Sequence, residues 1–226
     1  MIIIVFISSF EQLIHLFREL SLLPCGYHTD YVLSALQSDM VISFVPILAV
    51  LPLSGSYIAD IKSKFIRLFL IRTSLAMYIW SRIIACFLSG GFVIFAGAML
   101  SWINSVLFFL PMERVGEIPR DSVRLLLQIQ ILLFLCGGFW SVVGMAMSTL
   151  MESKYISYAT PFVIYYLLVI FYERYFSDLF IIYPKTWTDP TAWPFGCWGA
   201  AIFLLEMTLI FAILFAFRAG RRLRQL

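Results

Sequence analysis

Charged residues are scarce in this sequence. Asp, Glu, Lys and Arg together make up 13% of the 226 residues, whereas hydrophobic residues make up 62%. A soluble domain carries about a quarter charged residues, and its core could not bury so much apolar surface. This scarcity excludes a soluble globular domain and indicates a chain solvated by lipid. The net charge of only +3 also argues against a nucleic-acid-binding protein.

Common catalytic and metal-binding patterns are also missing. The four cysteines form no CxxC pair, and the sequence has no HExxH, GxSxG or GxxxxGK[ST] motif. Glu11 and His15 could share a helix face, but a metal site would need a third ligand, and His28 with Asp30 is the only evident supply. We therefore expect no catalytic residue and no metal site on this chain. Cys25 and Cys197 fall in loops on the same predicted side, so a disulfide between them stays open.

Long apolar runs dominate what is present. A membrane-spanning helix needs about 20 mostly apolar residues, and the chain accommodates six such helices with short loops. The predicted fold class is all-α, a polytopic membrane protein with a single transmembrane domain over residues 1–226. We predict spans at about 2–20, 40–58, 77–102, 125–150, 159–172 and 198–217.

Individual runs carry further information. The first is short, so we expect a span truncated at its cytoplasmic end. The second contains Pro46 and Pro52, which remove backbone donors and are expected to kink it. Gly90-Gly91 in the third run and Gly137-Gly138 in the fourth are small residues that let helix backbones approach closely in lipid.

Lys and Arg concentrate in alternate connecting segments. Ten of the 16 cations, with only two acids, fall in the 40 residues of segments 60–82, 151–158 and 218–226. Six cations and nine acids fall in the 70 residues of segments 18–40, 104–124 and 172–197. By the positive-inside rule the first set is cytoplasmic. With six spans, both termini are then expected in the cytoplasm.

The last outer loop is the longest and is rich in aromatic residues. Trp187, Trp193 and Trp198 suit a belt at the membrane interface. The apolar stretch 179–183 is too short to span, so we expect a short re-entrant or surface helix there.

The segment after the second span mixes cations with apolar residues. It reads DIKSKFIRLFLIRTSLAMYIWSR over residues 60–82. This pattern predicts an amphipathic helix at the membrane surface over about 60–72. Two interpretations stay open from the residues alone: a lipid anchor, or a docking element for a cytoplasmic partner.

The same segment, with its flanking spans, resembles ABC-2-type transporter permeases from Gram-positive bacteria. The resemblance rests on Asp60, Lys62, Ser63, Arg72-Thr73-Ser74, Tyr78, Arg82 and Ser89-Gly90-Gly91. A second match, FWSVVGMAMSTLMESKYISYATPFVIYYLLVI, contains Lys154-Tyr155 and Pro161-Phe162. The chain departs from the family at Lys64, where a Gly is usual. The family's cytoplasmic amphipathic helix and full first span are not seen before this point, so either the true start lies upstream or the protein lacks that element.

The resemblance implies the membrane subunit of an exporter in the bacterial cell membrane, and not an enzyme. ATP and Mg would bind a separate cytoplasmic ABC ATPase, so no cofactor is expected on this chain. A second permease chain, identical or related, would complete the path, with membrane lipids around it and no nucleic acid. The implied ATPase-coupling residues are Asp60, Lys62, Ser63, Lys64, Phe65, Arg67 and Arg72.

The implied cargo is apolar or amphipathic: a peptide, an antibiotic or a lipid. Glu206 is the one acid deep in an apolar run, where an ionisable group costs several kcal/mol unless it is paired or faces water. Glu206, Gln128 and Gln130 are therefore candidate translocation-path residues, with hydrogen bonding between helices as the competing interpretation. Two alternative functions stay open: a non-transporting membrane scaffold or immunity subunit that recruits a cytoplasmic partner, and an intramembrane enzyme.

Overall fold

The structure is a computed structural model that describes residues 23–62, 66, 74–114, 120–151 and 153–223. The predicted first span, 2–20, and most of the predicted coupling helix lie outside these residues. The described residues form seven α-helices and no strand, apart from one isolated bridge between Leu23 and Glu113. The helices are α1 Tyr27–Leu36, α2 Asp39–Val50, α3 Ser56–Lys62, α4 Leu75–Phe109, α5 Arg120–Met151, α6 Lys154–Arg174 and α7 Cys197–Leu223.

Helices α4 to α7 are each long and apolar enough to cross a membrane. Helices α1 and α2 meet at a bend of 65° and would together count as a fifth, broken span. This confirms the predicted all-helical fold with several apolar helices of membrane-spanning length. The sixth span and the coupling helix stay predictions.

The second predicted span is not one continuous helix. Helix α2 accommodates Pro46 but ends at Val50, and residues 51–55 form a turn before α3 begins. Pro52 has no N–H to continue the helix. Two residues further on, the Ser54 hydroxyl donates a hydrogen bond to the Val50 carbonyl. At 1.5 Å per residue, α2 is about 18 Å long, little more than half the thickness of a bilayer core. The predicted span 40–58 is therefore corrected to two helices with a break.

The four long helices extend beyond the predicted apolar spans. Helix α4, for example, was expected over 77–102 and runs from Leu75 to Phe109. Ser74 caps its start, accepting a hydrogen bond from the Met77 amide at 3.3 Å. Apolar runs mark the part of a helix that lipid covers, whereas caps and turn residues decide where the helix ends.

Helix α5 lies at the centre of the bundle. Its residues 136–146 are all buried, and α2, α4, α6 and α7 all pack against it. Helix α4 runs antiparallel to α5, since Phe87 meets Gly138 and Gly91 meets Phe134. Helix α6 is also antiparallel, since Ser157 meets Gly144 and Tyr165 packs on Trp140. Helix α7 runs parallel to α5, since Cys197 lies near Gln128 and Phe211 packs on Phe139.

Glycines bring α4 and α5 into backbone contact. A Cβ added at Gly137 would lie 2.8 Å from the Gly90 carbonyl oxygen and 2.8 Å from Ile94 Cγ1. A Cβ added at Gly91 would lie 2.8 Å from the Phe134 carbonyl oxygen. Real Cβ atoms do not come this close to other atoms. Helices α4 and α5 can therefore lie so near each other only because these glycines have no side chains. The predicted close packing of the third and fourth runs is confirmed.

The last outer loop folds over one end of α5. It forms short 3₁₀ turns at Phe180–Ile182, Pro184–Thr188 and Pro190–Ala192. Trp187 is only 4% exposed and stacks on Trp140 of α5, with ring centroids 5.8 Å apart. Trp187 is thus a core residue and not part of the predicted interfacial belt, whereas Trp198 is exposed. The four cysteines are free.

Replacing Gly137 by Ala tests the α4–α5 contact. The added methyl group meets backbone that cannot rotate away, so we expect a loss of about 1–3 kcal/mol, the usual cost of overpacking. Thermal unfolding of the purified protein in detergent measures the loss. Gly220→Ala is the matched control, because its Cβ would have no neighbour nearer than 3.7 Å. Equal stability of the two variants would contradict the packing described here.

Candidate functional site

The helix topology separates the charges into two groups. One end of the bundle, where α4 begins and α5 and α7 end, is here called the basic end. Its described cations are Lys62, Arg82, Lys154, Arg218, Arg221 and Arg222, and its one described acid is Asp60. The opposite, acidic end holds seven described acids and five cations. This grouping matches the alternation from which the cytoplasmic side was predicted.

Asp60 is clamped to α4 at the basic end. Its carboxylate oxygen Oδ2 accepts a hydrogen bond from the Tyr78 hydroxyl at 3.0 Å and forms an ion pair with Arg82 Nη2. The Arg82 guanidinium also lies over the Tyr78 ring, 5.4 Å from its centroid. The side chains of Asp60 and Arg82 are 18% and 26% exposed, so both interactions are only partly screened by solvent.

An apolar cluster surrounds this clamp. Tyr57 and Ile58 of α3, Tyr78 of α4 and Phe215 of α7 are all buried in it. Tyr57 packs edge-to-face on Phe215 with centroids 5.0 Å apart. The end of α3 is therefore joined to both α4 and α7, and Asp60 is fixed in place by more than one interaction.

The predicted coupling residues divide into two groups. Asp60 is held in the clamp, and Lys62 is exposed at the end of α3. Ile66, within the same segment, is buried in the apolar cluster. Five further predicted coupling residues lie outside the described part of the chain: Ser63, Lys64, Phe65, Arg67 and Arg72.

Gln128 and Gln130 lie in the outer half of α5, toward the acidic end. Gln128 is half-buried, and its carbonyl oxygen lies 4.0 Å from the Cys197 thiol. Gln130 is 1% exposed, and both polar atoms of its side chain lack a hydrogen-bond partner within the described structure. Such a group is costly in an apolar core. Of the two glutamines, Gln130 is therefore the one whose buried side chain needs a hydrogen-bond partner.

Glu206 lies on the outward face of α7. It is exposed, together with its helix neighbours Ile202, Leu209 and Ile213. The structure does not bring it together with Gln128 or Gln130, which lie on a different helix. If Glu206 lines a translocation path, that path runs along the outer surface of this chain and not through the interior of its helix bundle.

Sequence reasoning missed a second polar clamp, at the acidic end. The Glu113 carboxylate accepts hydrogen bonds from the Gly26 amide at 3.0 Å and the His28 amide at 2.6 Å. It also pairs with His28 Nδ1 at 2.9 Å, and the His28 carbonyl accepts a bond from Ser105 of α4. A carboxylate at a helix N-terminus satisfies amides that lack helical partners. His28 and Glu113 are 85 residues apart, so no local sequence pattern predicts that they pair.

A further ion pair at the acidic end joins two segments that are far apart in the sequence. Lys185 of the last outer loop pairs with Asp39 at the start of α2. The hydrogen bond to Asp39 raises the pKa of Lys185 above its ordinary value. This contact ties the loop that covers α5 to the broken second span.

No known family model, curated protein or solved structure matches the chain. The class rests on the fold alone: an all-helical chain with four to five apolar helices of membrane-spanning length, which indicates a polytopic membrane protein.

A double-mutant cycle tests the Asp60 clamp. We expect Asp60→Asn and Arg82→Gln each to destabilise the protein, and the two changes together to cost less than their sum. A coupling energy of about 1–3 kcal/mol is expected for a charged hydrogen bond of this exposure. Unfolding in detergent gives the energies, with exposed Asp121 replaced by Asn as the control. Additive effects of Asp60→Asn and Arg82→Gln would contradict a direct interaction.

Proposed function

We propose that this chain is the membrane-spanning permease subunit of an ABC-2-type exporter. A separate cytoplasmic ATPase hydrolyses ATP, and the segment from Asp60 to Arg72 receives the resulting movement. The cargo is apolar or amphipathic: a peptide, an antibiotic or a lipid. The chain itself carries no catalytic residue in this proposal.

The clamp on Asp60 is the observation that carries the proposal. A docking segment is useful for transport only if a force on it moves a membrane helix. Asp60 begins this segment and is bonded to Tyr78 and Arg82, which lie in the first turns of α4. A push on the segment must therefore displace α4 or break a partly buried ion pair.

Helix α4 is suited to carry such a movement across the membrane. Its 35 residues form a continuous helix that is about 52 Å long. It is joined to Asp60 at the basic end. At the acidic end Ser105 bonds to the His28 carbonyl, and residues 112–114 pair with Leu23. A tilt of α4 would thus reach α1 and the loops of the acidic end.

The filled interior of the bundle supports a working pair of chains. Residues 136–146 of α5 are all buried, and the described side chains packed around them are mostly apolar. Cargo would then pass along the surface of the chain, where a second permease subunit forms the other wall. This agrees with the pairing that the family resemblance implies.

Affinity purification from native membranes tests the proposal. Detergent-solubilised protein should co-purify an ATPase that mass spectrometry identifies and an activity assay detects. Replacing Phe65 and Arg67 by Ala should weaken its association about tenfold or more, because interface anchors contribute about 2 kcal/mol or more each. The melting temperature should not change.

Lys154→Ala is the matched control, since Lys154 is an exposed cation at the same end but outside the coupling segment. It should retain the ATPase. Recovery of a cytoplasmic partner with no ATPase activity would contradict transport and favour the scaffold or immunity function. A stable protein with no partner would leave the segment as a lipid anchor.

A further inference from the structure

Glu206 lies near the middle of the apolar part of α7, on a face that is exposed in this chain. The apolar part of α7 runs from Cys197 to Phe217 and is about 31 Å long, close to the bilayer core. Glu206 is about 14 Å from one end of it and about 17 Å from the other. A glutamate side chain cannot reach either interface from this depth. Lipid tails offer no hydrogen bond, so the carboxyl group needs a protein partner.

The surroundings of Glu206 form a seam for another helix. Ile202, Leu209 and Ile213 flank it at spacings of four, three and four residues, and each is more than half exposed. Alternating spacings of three and four align side chains along one line of a helix and are typical of helix pairs that interlock side by side. The opposite face of α7, which includes Leu204 and Phe215, is already buried against its own bundle.

We infer that this seam is the contact surface for α7 of a second copy of the same chain, with the two Glu206 carboxyl groups facing each other. The inference rests on the proposed function only for the expectation that two permease chains pair. It adds the surface through which they do so and the identity of the partner. It commits to a homodimer, which the resemblance left open.

Self-complementarity favours a second copy over any other occupant. Copies inserted in one membrane have the same orientation, so two α7 helices related by a twofold axis along the membrane normal run parallel. In a parallel pair each seam residue meets its own counterpart, at the same depth. A carboxyl group that carries its proton is both donor and acceptor, so Glu206 complements itself. It is the one polar side chain on the exposed face between Trp198 and Phe217.

Photo-crosslinking in native membranes identifies the occupant. A photoreactive phenylalanine derivative replaces Leu209 on the seam or, as the control, Leu214, which is exposed about 140° around the helix from Leu209. Two differently tagged copies are expressed together. The expected result is an adduct of twice the 26.0 kDa chain mass that carries both tags from position 209, with little or none from position 214.

Other adducts at position 209 would overturn the inference. A crosslink to residues 1–22 of the same chain would show that the amino-terminal segment covers the seam. A crosslink to a different protein would identify another partner, and labelling of lipid alone would show that the face is bare.

A measurement of dimer affinity tests the part played by Glu206. Energy transfer between two fluorescently labelled copies in liposomes should show about tenfold weaker association for Glu206→Leu, which removes the hydrogen bond. Glu206→Gln retains a donor and an acceptor and should keep most of the affinity. Leu214→Ala should match the unmodified chain, and wild-type affinity in Glu206→Leu would contradict the inference. These assays contain no ATPase, so their failure is distinct from failure of the proposed function.

Discussion

The backbone of Gly90 lies against the backbone of Gly137, and the positions of the other helices follow from this contact. Apolar surface gains nothing by leaving lipid, so helices in a membrane associate through close packing. Without side chains at these glycines, α4 and α5 approach until atoms of their backbones touch. The end of α2 reaches the same point, since a Cβ at Gly90 would also lie 3.0 Å from the Ala49 carbonyl oxygen. Helix α5 then becomes the centre around which α6 and α7 pack.

Polar clamps hold α4 at the two ends of this apolar bundle. Asp60 joins α3 to α4 at the basic end, and Glu113 joins the start of α1 to the chain just beyond α4 at the acidic end. In both cases a carboxylate accepts more than one hydrogen bond from a neighbouring helix: Asp60 from Tyr78 and Arg82 of α4, and Glu113 from Gly26 and His28 at the start of α1. Such contacts are directional, whereas apolar packing is not. They fix where α4 sits along its axis and so make it a unit that can move as a whole.

Much of the fold could be predicted from the sequence because lipid solvation leaves a strong signal. The apolar runs located α4 to α7, and the small residues at Gly90 and Gly137 predicted which of them pack closely. The ends of the helices could not be predicted in this way, since they depend on caps such as Ser74. The extent of the break at residues 51–55 could not be predicted either, because it depends on local contacts such as the hydrogen bond from the Ser54 hydroxyl to the Val50 carbonyl.

The candidate site was predictable only in part. Asp60 was named from its motif, but its partner Arg82 lies 22 residues away on the next helix, and no helical periodicity connects two different helices. Glu206 was recognised as unusual because a lone acid in an apolar run is costly. Which way it faces depends on the packing of α7 against α5, and that is a property of the three-dimensional bundle. Trp187 was misjudged for a related reason, because the loop that carries it folds back over α5.

The side of the membrane on which the Asp60 clamp lies decides whether an ATPase can reach it. Single cysteines at Lys154, on the basic end, and at Asp178, on the acidic end, report this directly in a background without the four native cysteines, since both positions are exposed. A membrane-impermeant maleimide should label Asp178→Cys in intact cells and Lys154→Cys only after the membrane is permeabilised. Labelling of Lys154→Cys in intact cells would place the clamp outside the cytoplasm and contradict the coupling account.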